Sequence, residues 1–195
     1  MGSIDYRRFF MPLFTQSRVL GAALLVALGA LNAPLALAQT PSADEAATPA
    51  PLAQGSPFPA LALTDQHDKP VTLPGAAHAI VYANAKAVDE WVNPVLTDFG
   101  PANLSAKHVI YLSDISRMPW MVSKMIALPQ MRERSYSAAL IRNDEEKALA
   151  GLPAPAKDCA NVLTLNAGVI AAIQSVCSPA ALKSELDALP VVTAP

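Results

Sequence analysis

Cys159 and Cys177 are the only thiols in this 195-residue chain and the first candidates for chemistry, because a thiolate can exchange disulfides or bind a soft metal. They sit on the arms of a hairpin whose signal is residues 162–165, the turn Asn166-Ala167-Gly168, and residues 169–176. Folding back about Ala167 and Gly168 places opposite one another positions whose numbers sum to roughly 334 to 336, and the cysteine numbers sum to 336. The two should face each other and, in an oxidising compartment, form a structural disulfide closing a loop of about 19 residues. A relocated redox pair built from the same two residues is the sharper alternative. Two cysteines also exclude a four-cysteine zinc site and a disulfide-stapled miniature fold.

The three histidines, His67, His78 and His108, have no metal-ligand spacing. His67 lies between Asp65 and Asp68 in a turn-rich run and reads as solvated. Glycines are scattered rather than gathered into a phosphate loop, and Gly-x-Ser-x-Gly is missing, so neither nucleotide cradling nor serine hydrolysis is indicated. No metal and no cofactor is expected, nicotinamide and flavin included. Lys plus Arg at 14 against Asp plus Glu at 16 leaves no basic excess for nucleic acid phosphates, so no nucleic acid partner is expected.

The densest polar and aromatic stretch runs Asp114-Ile115-Ser116-Arg117-Met118-Pro119-Trp120-Met121-Val122-Ser123-Lys124 and continues from Gln130 to Tyr136. Arg117, Trp120 and Lys124 share one helix face by spacing, while Met121, Met125 and Leu128 define a neighbouring core face. One reading is a solvated face with Trp120 half buried under arginine and lysine stems. The other is a recognition surface for an acidic or peptide partner, in which Trp and Arg anchor the contact.

These residues need elements to position them, and the chain must first be divided. Residues 19–31 form a charge-free apolar run after Arg18 that leads into Ala36-Leu37-Ala38, the pattern of a secretory signal peptide cleaved after Ala38. The run is too short for a membrane span of about 20 residues. Arg7-Arg8-Phe9-Phe10-Met11 resembles the twin-arginine export signature in part; translation from Met11 is an equally simple account, and the general secretory route is the expected one. Residues 39–57 read as a disordered Pro/Ala-rich linker, 58–190 as the domain and 191–195 as a tail. The mature chain offers no cysteine at its start for a lipid anchor. A periplasmic protein with no stable membrane anchor is expected.

Within the domain, residues 60–64 and 71–73 flank the turn 65–70 as a hairpin. The apolar runs 79–83, 109–112 and 138–141 read as strands covered on both faces. Helices are expected over 86–99, across which Pro94 should weaken or kink the rod, from Pro119 to about 128, and after the Ser178-Pro179 cap. The opening Gly55-Ser56-Pro57-Phe58-Pro59-Ala60-Leu61-Ala62-Leu63-Thr64-Asp65-Gln66, with Pro70-Val71-Thr72-Leu73, resembles the first segment of thioredoxin-like proteins of the redoxin and alkyl hydroperoxide reductase branch. The resemblance implies an α/β thioredoxin-like fold: a central mixed sheet of four to five strands, three flanking helices and an N-terminal β-hairpin.

It also implies reactive cysteines just after the first central strand, where this chain reads Ala83-Asn84-Ala85-Lys86, and a cis-proline near Ser135-Tyr136-Ser137, where it has none. A redox-silent member is therefore expected, a binding or assembly module for a periplasmic protein or peptide. The thiol-disulfide protein working through Cys159 and Cys177 stays as the alternative. In such a fold Asn84, Lys86, Asp114, Arg117, Trp120 and Tyr136 converge on the groove at the carboxyl end of the sheet, and they are the expected partner-binding residues.

Overall fold

The computed structural model describes residues 52–192. The expected signal peptide, its cleavage after Ala38 and residues 39–51 of the expected linker lie outside the described residues. Everything turns on the strand β3 (Ala79–Ala83), whose five residues Ala-Ile-Val-Tyr-Ala are all buried because apolar side chains point to both faces of the sheet. It pairs in parallel with β4 (Val109–Asp114), which pairs in parallel with β5 (Ala138–Ile141). The hairpin β1 (Leu61–Asp65) and β2 (Pro70–Leu73) adds antiparallel to β5, and β6 (Ala160–Asn166) with β7 (Val169–Val176) adds antiparallel to β3. The order is β2-β1-β5-β4-β3-β6-β7.

The sheet thus has seven strands rather than the four to five expected. The N-terminal hairpin is part of it, because Thr64 and Asp65 pair with Leu140 and Ala139. Side chains alternate between two cores. Ala79, Val81, Ala83, Tyr111, Ala138, Leu140 and Val162 face α1 (Lys86–Phe99) and α6 (Pro179–Ala188), which supply Val88, Val92, Leu96, Leu182 and Leu186 at one-turn spacing. Ile80, Tyr82, Leu112, Ala139, Ile141 and Leu163 face the opposite way, under Phe58, Leu61, Leu63, Leu73 and Ala150. Pro94 stands on the exposed side of α1, and the helix continues through it.

Helices outnumber the expected three. A short α2 (Pro101–Ala106) follows the positive-φ Gly100, with proline at its first position. A further helix, α5 (Asp144–Ala150), is started by Asn143, whose side chain accepts from the Glu146 amide at 2.8 Å, and ends at left-handed Gly151. Between them α3 (Trp120–Val122), a π-helical turn (Ser123–Ala127) and α4 (Leu128–Arg132) form one continuous rod. Pro129 has no amide to donate, and the turn before it widens so that Leu128 N–H reaches Ser123 O.

Order also begins earlier than Phe58. Leu52 N–H donates to Gly151 O at 3.1 Å, Gly55 N–H to Ile170 O at 2.8 Å and Phe58 N–H to Gly168 O at 2.8 Å, so residues 52–57 of the expected linker are tied to the domain. At the other edge, Asp65 and Gln66 are buried although their turn reads as polar. The Asp65 carboxylate accepts from the amides of His67 (2.8 Å) and Lys69 (2.9 Å) and from the Ser137 hydroxyl (3.2 Å). Gln66 donates to Tyr136 O at 2.7 Å and accepts from Ala138 N–H at 2.8 Å, stitching the hairpin tip to the start of β5. His67 itself is exposed.

The β6–β7 register keeps the predicted sum of 336 from Ala160↔Val176 to Thr164↔Ala172 before a bulge shifts it near the turn. Continued by one position, it brings Cys159 and Cys177 together, and they form a disulfide with Cα atoms 4.1 Å apart.

Two outcomes follow. Replacing both cysteines by alanine should cost about 3 kcal/mol in urea unfolding while leaving the circular dichroism unchanged, since the closed loop spans 18 positions. Loss of the fold would mean the bridge does more than restrict the unfolded chain. Burial alone would raise the Asp65 carboxyl, but the Lys69 and His67 amides and the Ser137 hydroxyl outweigh it and hold the carboxyl below its usual range. Its stabilisation is therefore complete above about pH 4 and lost as pH falls through the folded-state value. Asp65→Asn should make the fall in urea midpoint between about pH 4 and pH 2 shallower; an unchanged slope would contradict this.

Candidate functional site

The carboxyl ends of β3 and β4 diverge, β3 into α1 and β4 into the turn before α3, and this divergence opens a groove. Ala85, Lys86 and Asp89 form one wall from the first turn of α1. Met118, Val122, Ile126, Gln130 and Met131 form the other, with Ser113, Ile115 and Arg134 at its base. It encloses about 130 Å³, below the roughly 300 Å³ of small cofactor sites, so it is sized for one or two side chains of a ligand rather than a dinucleotide. Its lining is apolar on the rod side and polar on the α1 side.

Asp89 and Arg134 set the polar side. Arg134 grips Asp89 with both nitrogens, one bond at 3.1 Å and a shorter ion pair through the second, and Tyr111 donates its hydroxyl to the same carboxylate at 2.5 Å. Burial would lower the Arg134 guanidinium, but the Asp89 carboxylate outweighs it and holds the group above its ordinary value. Burial pushes the Tyr111 phenol well up, reinforced by Asp89, so it stays a donor. The Tyr136 ring stands edge-on to Tyr111 at 6.1 Å, and its hydroxyl donates to Asn93 at 2.8 Å. This network ties α1 to the loop before β5, across the floor of the groove.

The expected site residues separate into three groups. Lys86 lies in the groove wall, its ammonium 3.7 Å from Glu90. Asn84 and Arg117 meet in a second hollow beside it, lined also by Tyr82, Lys147 and Leu152. Asp114 and Tyr136 are buried; Asp114 still lines the groove from its inner side, and Tyr136 lies outside its lining. The Asp114 side chain is fully covered, accepts from the Ser116 amide at 2.9 Å and hydroxyl at 2.6 Å, and pairs with Lys147 at 2.8 Å. Burial would raise its carboxyl, but Lys147 and Ser116 outweigh burial and hold it low, while burial beside Asp114 pushes the Tyr82 phenol up.

Trp120 departs furthest from the solvated-face reading. It is 71% exposed rather than half buried, and no cation stacks on it among the described residues. Met121 and Met125, expected in the core, are 59% and 69% exposed. Met118, Leu128 and Met131 pack on the core instead. The cause is the π-helical turn, which adds a residue ahead of Pro129 and rotates the phase of the rod, so a uniform 3.6-residue period assigns its faces wrongly. Sequence reasoning also missed Ser113, Asp89 and Arg134. Arg134 lies 45 positions from Asp89, and no local spacing signals their pairing.

No family model and no curated protein matches the chain. Solved structures do match. One is the peroxidoxin BcpB from Mycobacterium tuberculosis, at 13% identity, covering 71% of this chain and 96% of that one with a TM-score of 0.50. Another is the DsbE-type thiol:disulfide interchange protein from Chlorobium tepidum, at 16% identity, covering 70% and 94% with a TM-score of 0.50. Identities this low speak to architecture alone. With the parallel β3-β4-β5 core, the antiparallel edges and the groove where β3 meets α1, they establish that the chain has a thioredoxin-like fold.

Proposed function

We propose that this protein is an exported, non-catalytic binding or assembly module that takes a periplasmic protein or peptide in the groove beside α1. The observation that carries the reading is the composition of the α1 entry. A helix N-terminus favours thiolate, yet Ala85 and Lys86 stand there, and both thiols of the chain are joined to each other on the two strands beyond β3, just before β6 and just after β7. What remains at that entry is recognition chemistry: an ammonium on Lys86, a pre-formed and internally neutralised floor, and an apolar wall of Met118, Val122 and Ile126. Methionine adapts its shape to varied apolar ligands at little cost. Asn84, Arg117 and Trp120 rim the same end, and Asp114 and Tyr136 act as struts that hold the rim in place.

The second reading, a thiol-disulfide protein working through Cys159 and Cys177, is favoured by one observation. Cys177 is exposed and directly precedes Ser178, the cap of α6, while Cys159 is buried. A partner thiolate could attack the accessible Cys177 sulfur, forming a mixed disulfide there and releasing Cys159 as the thiolate.

A photo-crosslinking side chain at position 126 in the cell tests the groove. On the binding reading it gives a discrete protein adduct that Val122→Asp reduces at least tenfold at unchanged abundance, because a charge in an apolar wall leaves itself unpaired on docking. Adducts of equal yield with and without Val122→Asp, or none above background, would remove the groove as the partner site.

A further inference from the structure

The outer face of the rod extends past the groove rim at Arg117 and Trp120 onto Met121 and Met125, which the groove reading does not use. Five of the eight large apolar side chains exposed among the described residues lie within seven positions, Trp120, Met121, Val122, Met125 and Ile126. Val122 and Ile126 lean into the groove wall, whereas Trp120, Met121 and Met125 are outside its lining. A cluster of this kind on a folded domain marks a contact surface. Its charge points to what it touches. From Ile115 to Arg132 there are three cations and no acidic residue, in a chain whose formal net charge is -2. Arg132 is paired with Asp68, but Arg117 and Lys124 make no ion pair among the described residues. Lys124, on the same rod as Trp120, is exposed as well.

We infer that this face docks reversibly on an anionic lipid surface. Trp120, Met121 and Met125 enter the headgroup boundary, and Arg117 and Lys124 meet lipid phosphates. Indole suits that boundary because its ring is apolar and its N–H stays wet. Methionines are flexible enough to fill between acyl chains. Two free cations add attraction to an anionic leaflet without anchoring the protein there, at about fivefold in affinity each. None of the described helices is long and apolar enough to cross a membrane, so the contact is interfacial.

Trp120 itself is the probe. The full chain carrying Trp91→Phe has one tryptophan, and its emission reads the face locally even if the apolar run at 19–31 also takes up lipid. It is mixed with vesicles of phosphatidylglycerol and phosphatidylcholine, part of the latter brominated in its acyl chains. The emission should shift to shorter wavelength and be quenched, and should do so far less on pure phosphatidylcholine. Met121→Ser with Met125→Ser should cut the quenched fraction about tenfold, and Arg117→Glu with Lys124→Glu should abolish the preference for phosphatidylglycerol. All four positions are outside the cores, and circular dichroism checks the fold. Unchanged Trp120 emission on vesicles that bind the chain overturns the inference, as does equal quenching in the methionine variant. A blue shift that grows with protein concentration without lipid assigns the face to a second copy, and one produced only by another protein assigns it to a protein partner; either overturns the lipid assignment.

Discussion

A carboxylate closed off from water at the end of β4 organises the carboxyl end of the sheet around it. Asp114 has no exposed side-chain surface, so its charge persists only because Ser116 donates twice and Lys147 supplies an ammonium. Those bonds fix three things together. They fold the chain back through 115–119, they clamp α5 across the second face of the sheet, and they aim the rod that follows. Remove the carboxylate and Lys147 is left beside Tyr82 without its counter-ion, while the turn carrying Arg117 and Pro119 loses its hydrogen-bonded cap.

A second strut does the same for the opposite wall. Asp89, Arg134, Tyr111 and Tyr136 cancel their charges and satisfy their donors under the groove, so its polar side is rigid and nearly neutral. The two struts leave the rod between them with its core side held by Met118, Leu128 and Met131 and its outer side without cover. Asp114 and Tyr136, expected from the sequence to bind a partner, make the hydrogen bonds and ion pairs that hold the two walls in place, and the rod presents its outer side to solvent.

How much of this could be read from the chain follows from the range of the interactions. Buried strands announce themselves locally, and 79–83 and 138–141 match β3 and β5 because an unbroken apolar run fits only a strand covered on both sides. The cysteine pairing was legible because a tight turn fixes register and register fixes which side chains face. α5 had a readable start in Asn143 and the acidic turn Asp144-Glu145-Glu146, a signal that a search for apolar periodicity passes over. The exposed face of the rod was not legible, because a single proline shifts the helical phase and places Met121 and Met125 outside. Nor were the struts, whose partners are brought together only by the sheet.

If the chemistry of this thioredoxin-like domain is recognition, its Cys159–Cys177 bond is structural. The most direct measurement is the reduction potential of that bond, by equilibrating the protein against dithiol buffers of graded potential and trapping free thiols. A structural bond gives a value below about -300 mV, which the glutathione pool cannot open. A value near -200 mV or above, with full reversibility, would contradict it and make the pair a working thiol-disulfide couple.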